Sequence, residues 1–141
     1  MEIETRTIRG IVVVTPVGEL DREGCDALAA ALADATSSER PRIVVDLSRC
    51  TRISTDALRQ FVALGSRLES RGGGFALCAA RGDTARAIRV GGVARLCRVV
   101  PSVEEAVGTF VEDRRLDLLA GFVCELLARG EHRTHDGGQP T

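Results

Sequence analysis

The sequence predicts an α/β domain in which an N-terminal β-hairpin leads into alternating strands and helices, forming a mixed sheet of about five strands packed by helices. Three observations carry this. Residues Ile3 to Ile8 alternate apolar and polar, and after Arg9-Gly10 the β-branched run Ile11-Val12-Val13-Val14 resumes, the pattern of a hairpin. Later segments repeat apolar residues at spacings of three and four, and short apolar runs lie between them. The 141 residues, 44% hydrophobic and 28% charged, suffice for one core that needs neither disulfide nor metal.

The elements follow in order. After Gly18-Glu19-Leu20, Asp21 is placed to cap a helix over DREGCDALAAALADAT, whose face is Ala27, Leu28, Ala31, Leu32 and Ala35. Pro41 closes a polar loop, and Ile43 to Leu47 reads as a buried strand. A second amphipathic helix, marked by Ala57, Leu58, Phe61, Val62, Leu64 and Leu68, starts near Ser54-Thr55. Gly72-Gly73-Gly74 stops it before the strand Phe75 to Ala79. Ala85, Ile88 and Val93 suggest a short helix leading to a strand over Cys97 to Val100. Ser102 and Glu105 then stand in capping-box spacing at the head of the last helix of the unit.

Composition narrows the function. A net charge of −1 and 3% aromatic residues, without Trp or Tyr, give nucleic acid neither a basic field nor a stacking platform. Cys25, Cys50, Cys78, Cys97 and Cys124 form no C-x-x-C pair, and several sit in apolar strings, so reduced thiols in a cytoplasmic protein are expected. The acidic N-terminus lacks an export signal and no run is long enough to span a membrane. No phosphate loop, dinucleotide fingerprint, nucleophile elbow or H-E-x-x-H occurs. His132 and His135 fall in a polar tail without a scaffold. An enzyme is not expected, nor a cofactor or metal.

What remains is Arg52-Ile53-Ser54-Thr55-Asp56-Ala57-Leu58, between a buried strand and a helix. Ser54 or Thr55 can cap the first turn, and Asp56 favours the positive end of the helix dipole. A hydroxyl there is also placed where free N–H groups and the dipole would accommodate phosphate.

The ordered series of hairpin, GELD, helix, IVVDLS, ISTDAL, helix, RGGGFAL and VVPSVEEAV resembles the STAS domain family, the anti-sigma factor antagonists, over residues 3–112. The resemblance implies a non-catalytic switch that binds an anti-sigma factor, often a GHKL-type serine kinase, and so releases a sigma factor. Phosphorylation by that kinase would break the complex and a phosphatase would restore it. Laid on ISTDAL, the family's switch motif, similar to I-D-S-[ST]-G-L, keeps Ile53 and Leu58 and puts Thr55 on the phosphoacceptor. Ser54 then stands on the motif aspartate, Asp56 on the second hydroxyl residue and Ala57 on the glycine. The implied contact surface is Asp21, Arg22, Ser54, Thr55, Asp56, Ala57 and Leu58.

The resemblance, and beyond it periodicity and composition, divide the chain into a domain over 1–113, a helical extension over 114–129 and a disordered tail over 130–141. In the extension, Leu116, Leu119, Phe122, Val123 and Leu126 recur at spacings of three and four, with Leu127 widening the stripe. Such a stripe packs on a second copy, giving a homodimer, on its own domain, or on another protein. The alternative to a switch is therefore a scaffold or assembly subunit that acts through this helix.

Overall fold

The structure, a computed structural model, describes residues 2–37, 39–111 and 126–127. Strand β1 (Glu2–Ile8) pairs antiparallel with β2 (Ile11–Leu20), from Ile8 against Ile11 to Glu2 against Val17. The tight connection is made by Arg9 and Gly10, both at positive φ. Strands β3 (Arg42–Asp46), β5 (Gly74–Cys78) and β6 (Arg98–Val100) then extend the sheet in parallel, giving the order β1-β2-β3-β5-β6. A sixth strand that the sequence does not announce, β4 (Cys50–Ile53), pairs parallel with the far end of β2. Strand β2 is long enough to hold β3 over Val12–Val14 and β4 over Gly18–Leu20. Between Gly18 and Glu19 the register against β4 shifts, so that Gly18 faces Cys50 and Glu19 faces Arg52.

Side chains alternate across the sheet, and register sorts them into two rows. Val14, Val45, Leu77 and Val99 are register partners on one face. The first three join the main core with Leu28, Leu32, Phe61, Leu68 and Phe75. These come from helices α1 (Arg22–Ala31) and α3 (Thr55–Ser70), the segment between α1 and α2 (Ala33–Thr36), and β5. Helix α4 (Gly82–Val90) and a single 3-10 turn (Val93–Arg95) add Ile88 and Val93. Val13, Val44, Ala76 and Arg98 form the other row. Phe110, from the helix over residues 103–111 (α5), lies under the Arg98 guanidinium and against Gly74, where a Cβ would come within 2.7 Å of its ring. Helix α5 therefore covers this second face and buries Val103, Ala106, Val107 and Phe110 there.

Four expectations are corrected locally. The predicted face of the first helix is narrower, since Leu28 and Leu32 are buried while Ala27 and Ala31 are exposed; the helix breaks at Leu32 and resumes as α2. On α3, Val62 and Leu64 are half-buried and the small Gly65 takes the inward position, because a Cβ there would lie 3.1 Å from the Phe75 ring. The strand after the glycines runs Gly74–Cys78 rather than to Ala79, whose φ of 58° ends the extended run. The last strand begins at Arg98, with Cys97 turned into the core.

The chain divides into two compact units, residues 1–110 and 111–141. Of the second unit, residues 111, 126 and 127 are described, and Leu126 and Leu127 are helical and exposed. The expected stripe at Leu116, Leu119, Phe122 and Val123, together with the tail from 130, lies outside the described residues. Among the described residues no helix is long and apolar enough to cross a membrane.

Candidate functional site

Two strand-to-helix turns lie side by side at the end of the sheet where β2 and β4 finish. Leu20 and Ile53 are register partners, and the Ser54 N–H donates to the Leu20 carbonyl at 3.0 Å. The residues that follow the two strands cap the two helices. The Asp21 carboxylate Oδ1 accepts from the Gly24 N–H at 2.9 Å and opens α1. The Ser54 Oγ accepts from the Ala57 N–H at 3.1 Å and opens α3. Both caps have the extended backbone that an N-cap requires. The expected cap at Asp21 is present, and of the two candidates at the second turn the cap is Ser54.

With Ser54 occupied as a cap, Thr55 is the first helical residue and is exposed, as is Asp56. The N–H groups of a helix's first turn have no intrahelical partner, and only that of Ala57 is taken by Ser54. Thr55 thus stands in solvent at the positive end of a 16-residue helix. Asp21 and Arg22 are exposed on the neighbouring turn. Ala57 and Leu58, expected among the contact residues, leave that set. Ala57 is fully buried and Leu58 is 9% exposed, so both hold α3 to the core instead of facing a partner.

The surroundings are acidic. A shallow cavity of about 260 Å³ is lined by Val17, Glu19, Asp21, Glu23 and Gly24, and Asp26 and Asp56 are exposed on the two helices that start at these turns. Cys25 lies under the Asp21 turn; burial, followed by the fields of Asp26 and Asp21, pushes its thiol up to about 11. Beneath the second turn Cys50 is also raised by burial, opposed by a hydrogen bond from Thr84. Both thiols are free, buried and protonated at neutral pH, so they supply no nucleophile.

Thr84 is a residue the sequence reading passed over. It is fully buried, and its Oγ1 donates to the Cys50 carbonyl at 3.1 Å, tying α4 to the strand that delivers Ser54 and Thr55. Its signal was the spacing with Ile88, four residues on, which puts a hydroxyl on the inward face of a helix.

A family model described as "Mlab, STAS domain" matches residues 6–101. None of the curated proteins matches this chain. Among solved structures, an anti-sigma factor antagonist from Mycobacterium paratuberculosis is 26% identical, with a TM-score of 0.67, covering 77% of this chain and 94% of that one. A STAS domain protein from Planctomyces limnophilus is 15% identical, with a TM-score of 0.65 over 77% of this chain and 97% of that one. The Bacillus cell fate determinant SpoIIAA in its phosphorylated form is 17% identical, with a TM-score of 0.58 over 77% and 98% of the two chains. At these identities the last two share the fold.

Proposed function

The chain belongs to the STAS domain family, and from that premise we propose that it is an anti-sigma factor antagonist that binds an anti-sigma factor and thereby frees a sigma factor. One observation carries this reading. Thr55 is an exposed hydroxyl on the first residue of α3, beside a cap already filled by Ser54 and next to the turn of Asp21 and Arg22. The contact surface is Asp21, Arg22, Ser54, Thr55 and Asp56. The partner is a GHKL-type serine kinase acting in the cytoplasm, and a phosphatase reverses it. Phosphate on Thr55 adds roughly two negative charges. The free N–H groups and the dipole of α3 favour it there, while a partner that had desolvated the turn could not accommodate it.

The test is to incubate the full chain with purified GHKL-type anti-sigma kinases and ATP, locate phosphate by mass spectrometry, and measure binding before and after. Phosphate on Thr55 with loss of binding is expected. Phosphate confined to Ser54 would overturn the assignment of the acceptor, and binding that persists after full modification would overturn the switch.

A second reading, a scaffold acting through residues 114–129, draws on the exposure of Leu126 and Leu127. Sedimentation equilibrium of the full chain against a chain ending at Asp113 decides it. A dimer lost on truncation supports it, and a monomer for both forms rejects it.

A further inference from the structure

Among the described residues of the unit 1–110, two large aliphatic side chains are left in solvent, Val90 at 78% and Leu96 at 62% exposure. They flank the 3-10 turn that follows α4. The same stretch departs from the rest of the chain in charge. Residues 81–98 hold five arginines, Arg81, Arg86, Arg89, Arg95 and Arg98, against one acid, Asp83. That is +4 in a chain of net −1, so the remaining residues carry −5.

Helical geometry puts two of these arginines, Arg86 and Arg89, on one surface with Val90. Thr84 and Ile88, four apart, face inward and are buried, so Arg86, Arg89 and Val90 share the opposite face and are exposed. Arg95 is exposed on the turn beyond. No ion pair among the described residues uses Arg86, Arg89 or Arg95. The surface also adjoins the two capped turns. Thr84 holds the start of α4 to the first residue of β4, and at its end a Cβ on Gly91 would lie 3.6 Å from Leu58 Cδ1, in the first turns of α3. Helix α4 is thus held at its two ends to β4 and α3, the two elements that carry the Thr55 turn.

We propose that Arg86, Arg89, Val90, Arg95 and Leu96 form a docking surface for an acidic segment that carries an apolar anchor, on the same protein partner that meets the Thr55 turn. The partner class rests on the functional reading above. A basic stretch in a chain whose remaining residues carry −5 favours an acidic segment there and penalises a reversed orientation of its partner. An apolar side chain seated between Val90 and Leu96 removes both from water, the arrangement of an interface anchor. An anionic bilayer is the rival surface, and the vesicles of the test below distinguish it. Nucleic acid is disfavoured because residues 81–98 offer no aromatic side chain for stacking and the chain carries a net charge of −1.

The test uses the full chain, wild type against Arg86→Glu/Arg89→Glu/Val90→Ser, with Arg89→Glu alone as the milder form. All three positions are exposed, and unchanged thermal melting confirms the fold. The probes are the GHKL-type kinases of the preceding test, a short synthetic helix of Glu and Leu, the same helix with Gln for Glu, and phosphatidylglycerol–phosphatidylcholine vesicles. Kinase affinity is expected to fall at least about tenfold in the triple variant, with a flatter salt dependence, because the lost attraction is partly ionic. The Glu helix is expected to bind wild type more tightly than the Gln helix, and this preference disappears in the variant. Unchanged kinase affinity in the triple variant overturns the proposal, as does tighter binding of wild type to vesicles than to the Glu helix. If no kinase binds wild type but the helix preference holds, the functional reading fails and the surface stands. If neither binds, the surface falls as well.

Discussion

The molecule builds one geometric device twice and gives it two chemistries. At Leu20-Asp21 and at Ile53-Ser54 a parallel strand ends in register with its neighbour, and the next residue caps a helix by accepting an N–H three positions on. Asp21 does this with a carboxylate and is followed by Arg22, whereas Ser54 does it with a neutral hydroxyl and is followed by Thr55. The first helix start therefore has a carboxylate as its cap, and the second has, beside a neutral cap, the hydroxyl proposed above as the phosphate acceptor. What separates the two turns is the chemistry of two residues, the cap and its successor, since the backbone treats both alike.

The comparison can be broken most forcefully at the strand ends that support the two turns. Leu20→Ala is expected to cost about 2–5 kcal/mol, and Ile53→Ala less, because Leu20 is 1% exposed and Ile53 7%. Urea denaturation of both variants measures this. A larger loss at Ile53 would mean that the second turn is the more firmly anchored.

The thiols beneath the turns give the next largest effect. Their folded pKa values are raised, so the folded state holds protons that the unfolded state releases. The stability that Cys25 contributes is complete below the ordinary thiol value and is lost as pH rises from about 9 through about 11, by up to about 1.4 kcal/mol per pH unit. Cys50, raised by burial, loses its share in the same direction. Cys25→Ala should flatten the decline more than Cys50→Ala, since Asp26 and Asp21 add to burial at Cys25 while the Thr84 hydrogen bond opposes it at Cys50. Equal flattening in melts recorded across this range would show that the charge of the first turn does not reach its thiol.

Removing the caps has a smaller effect. Asp21→Ala and Ser54→Ala should each cost about 1 kcal/mol, with Asp21→Ala the larger because a carboxylate also meets the helix dipole. Thermal melts in low and high salt separate the two contributions, and a Ser54 loss that exceeded the Asp21 loss in low salt would break the contrast. The smallest expected effect is kinetic. Asp56→Ser removes a like charge next to Thr55 and should raise its phosphorylation rate by roughly a few-fold in low salt and less in high salt, as screening of an exposed pair requires. A rate unchanged at both ionic strengths would mean that Asp56 does not oppose the incoming phosphate.

The parts legible in the sequence were those written in local chemistry. Asp21 before an apolar period, Ser54 before another, and Ser102 three residues ahead of Glu105 each announced a helix start, and all three side chains accept the capping N–H. Strand β4 was not legible, because Cys-Thr-Arg-Ile is short and polar and becomes a strand only by pairing with β2, some thirty residues earlier. The glycines at 72–74 spell a helix stop in the sequence, and Gly72, at φ +76°, is one. The other two answer to distant contacts: a Cβ on Gly73 would overlap the Pro41 carbonyl, and one on Gly74 would strike the Phe110 ring. At the site, the resemblance laid its motif on residues 53–58, but the sequence could not tell that Ala57 and Leu58 turn inward, since that depends on how α3 is rotated against the sheet.

The shifted register between β2 and β4 also settles a question of parity. Thr51 is the extra residue, passed over as pairing steps from Cys50 to Arg52 while β2 advances by one. Strict alternation puts residues three apart on opposite faces of a strand, yet Cys50 and Ile53 are both buried, and the bulge is what returns them to one side. Deleting Thr51 would leave Cys50, Arg52 and Ile53 in plain alternation opposite Gly18, Glu19 and Leu20, so Ile53 would keep its face and its partner. Deleting two residues there would make Cys50 and Ile53 adjacent and turn one of them outward. Loss of one residue between Cys50 and Ile53 should therefore be tolerated far better than loss of two.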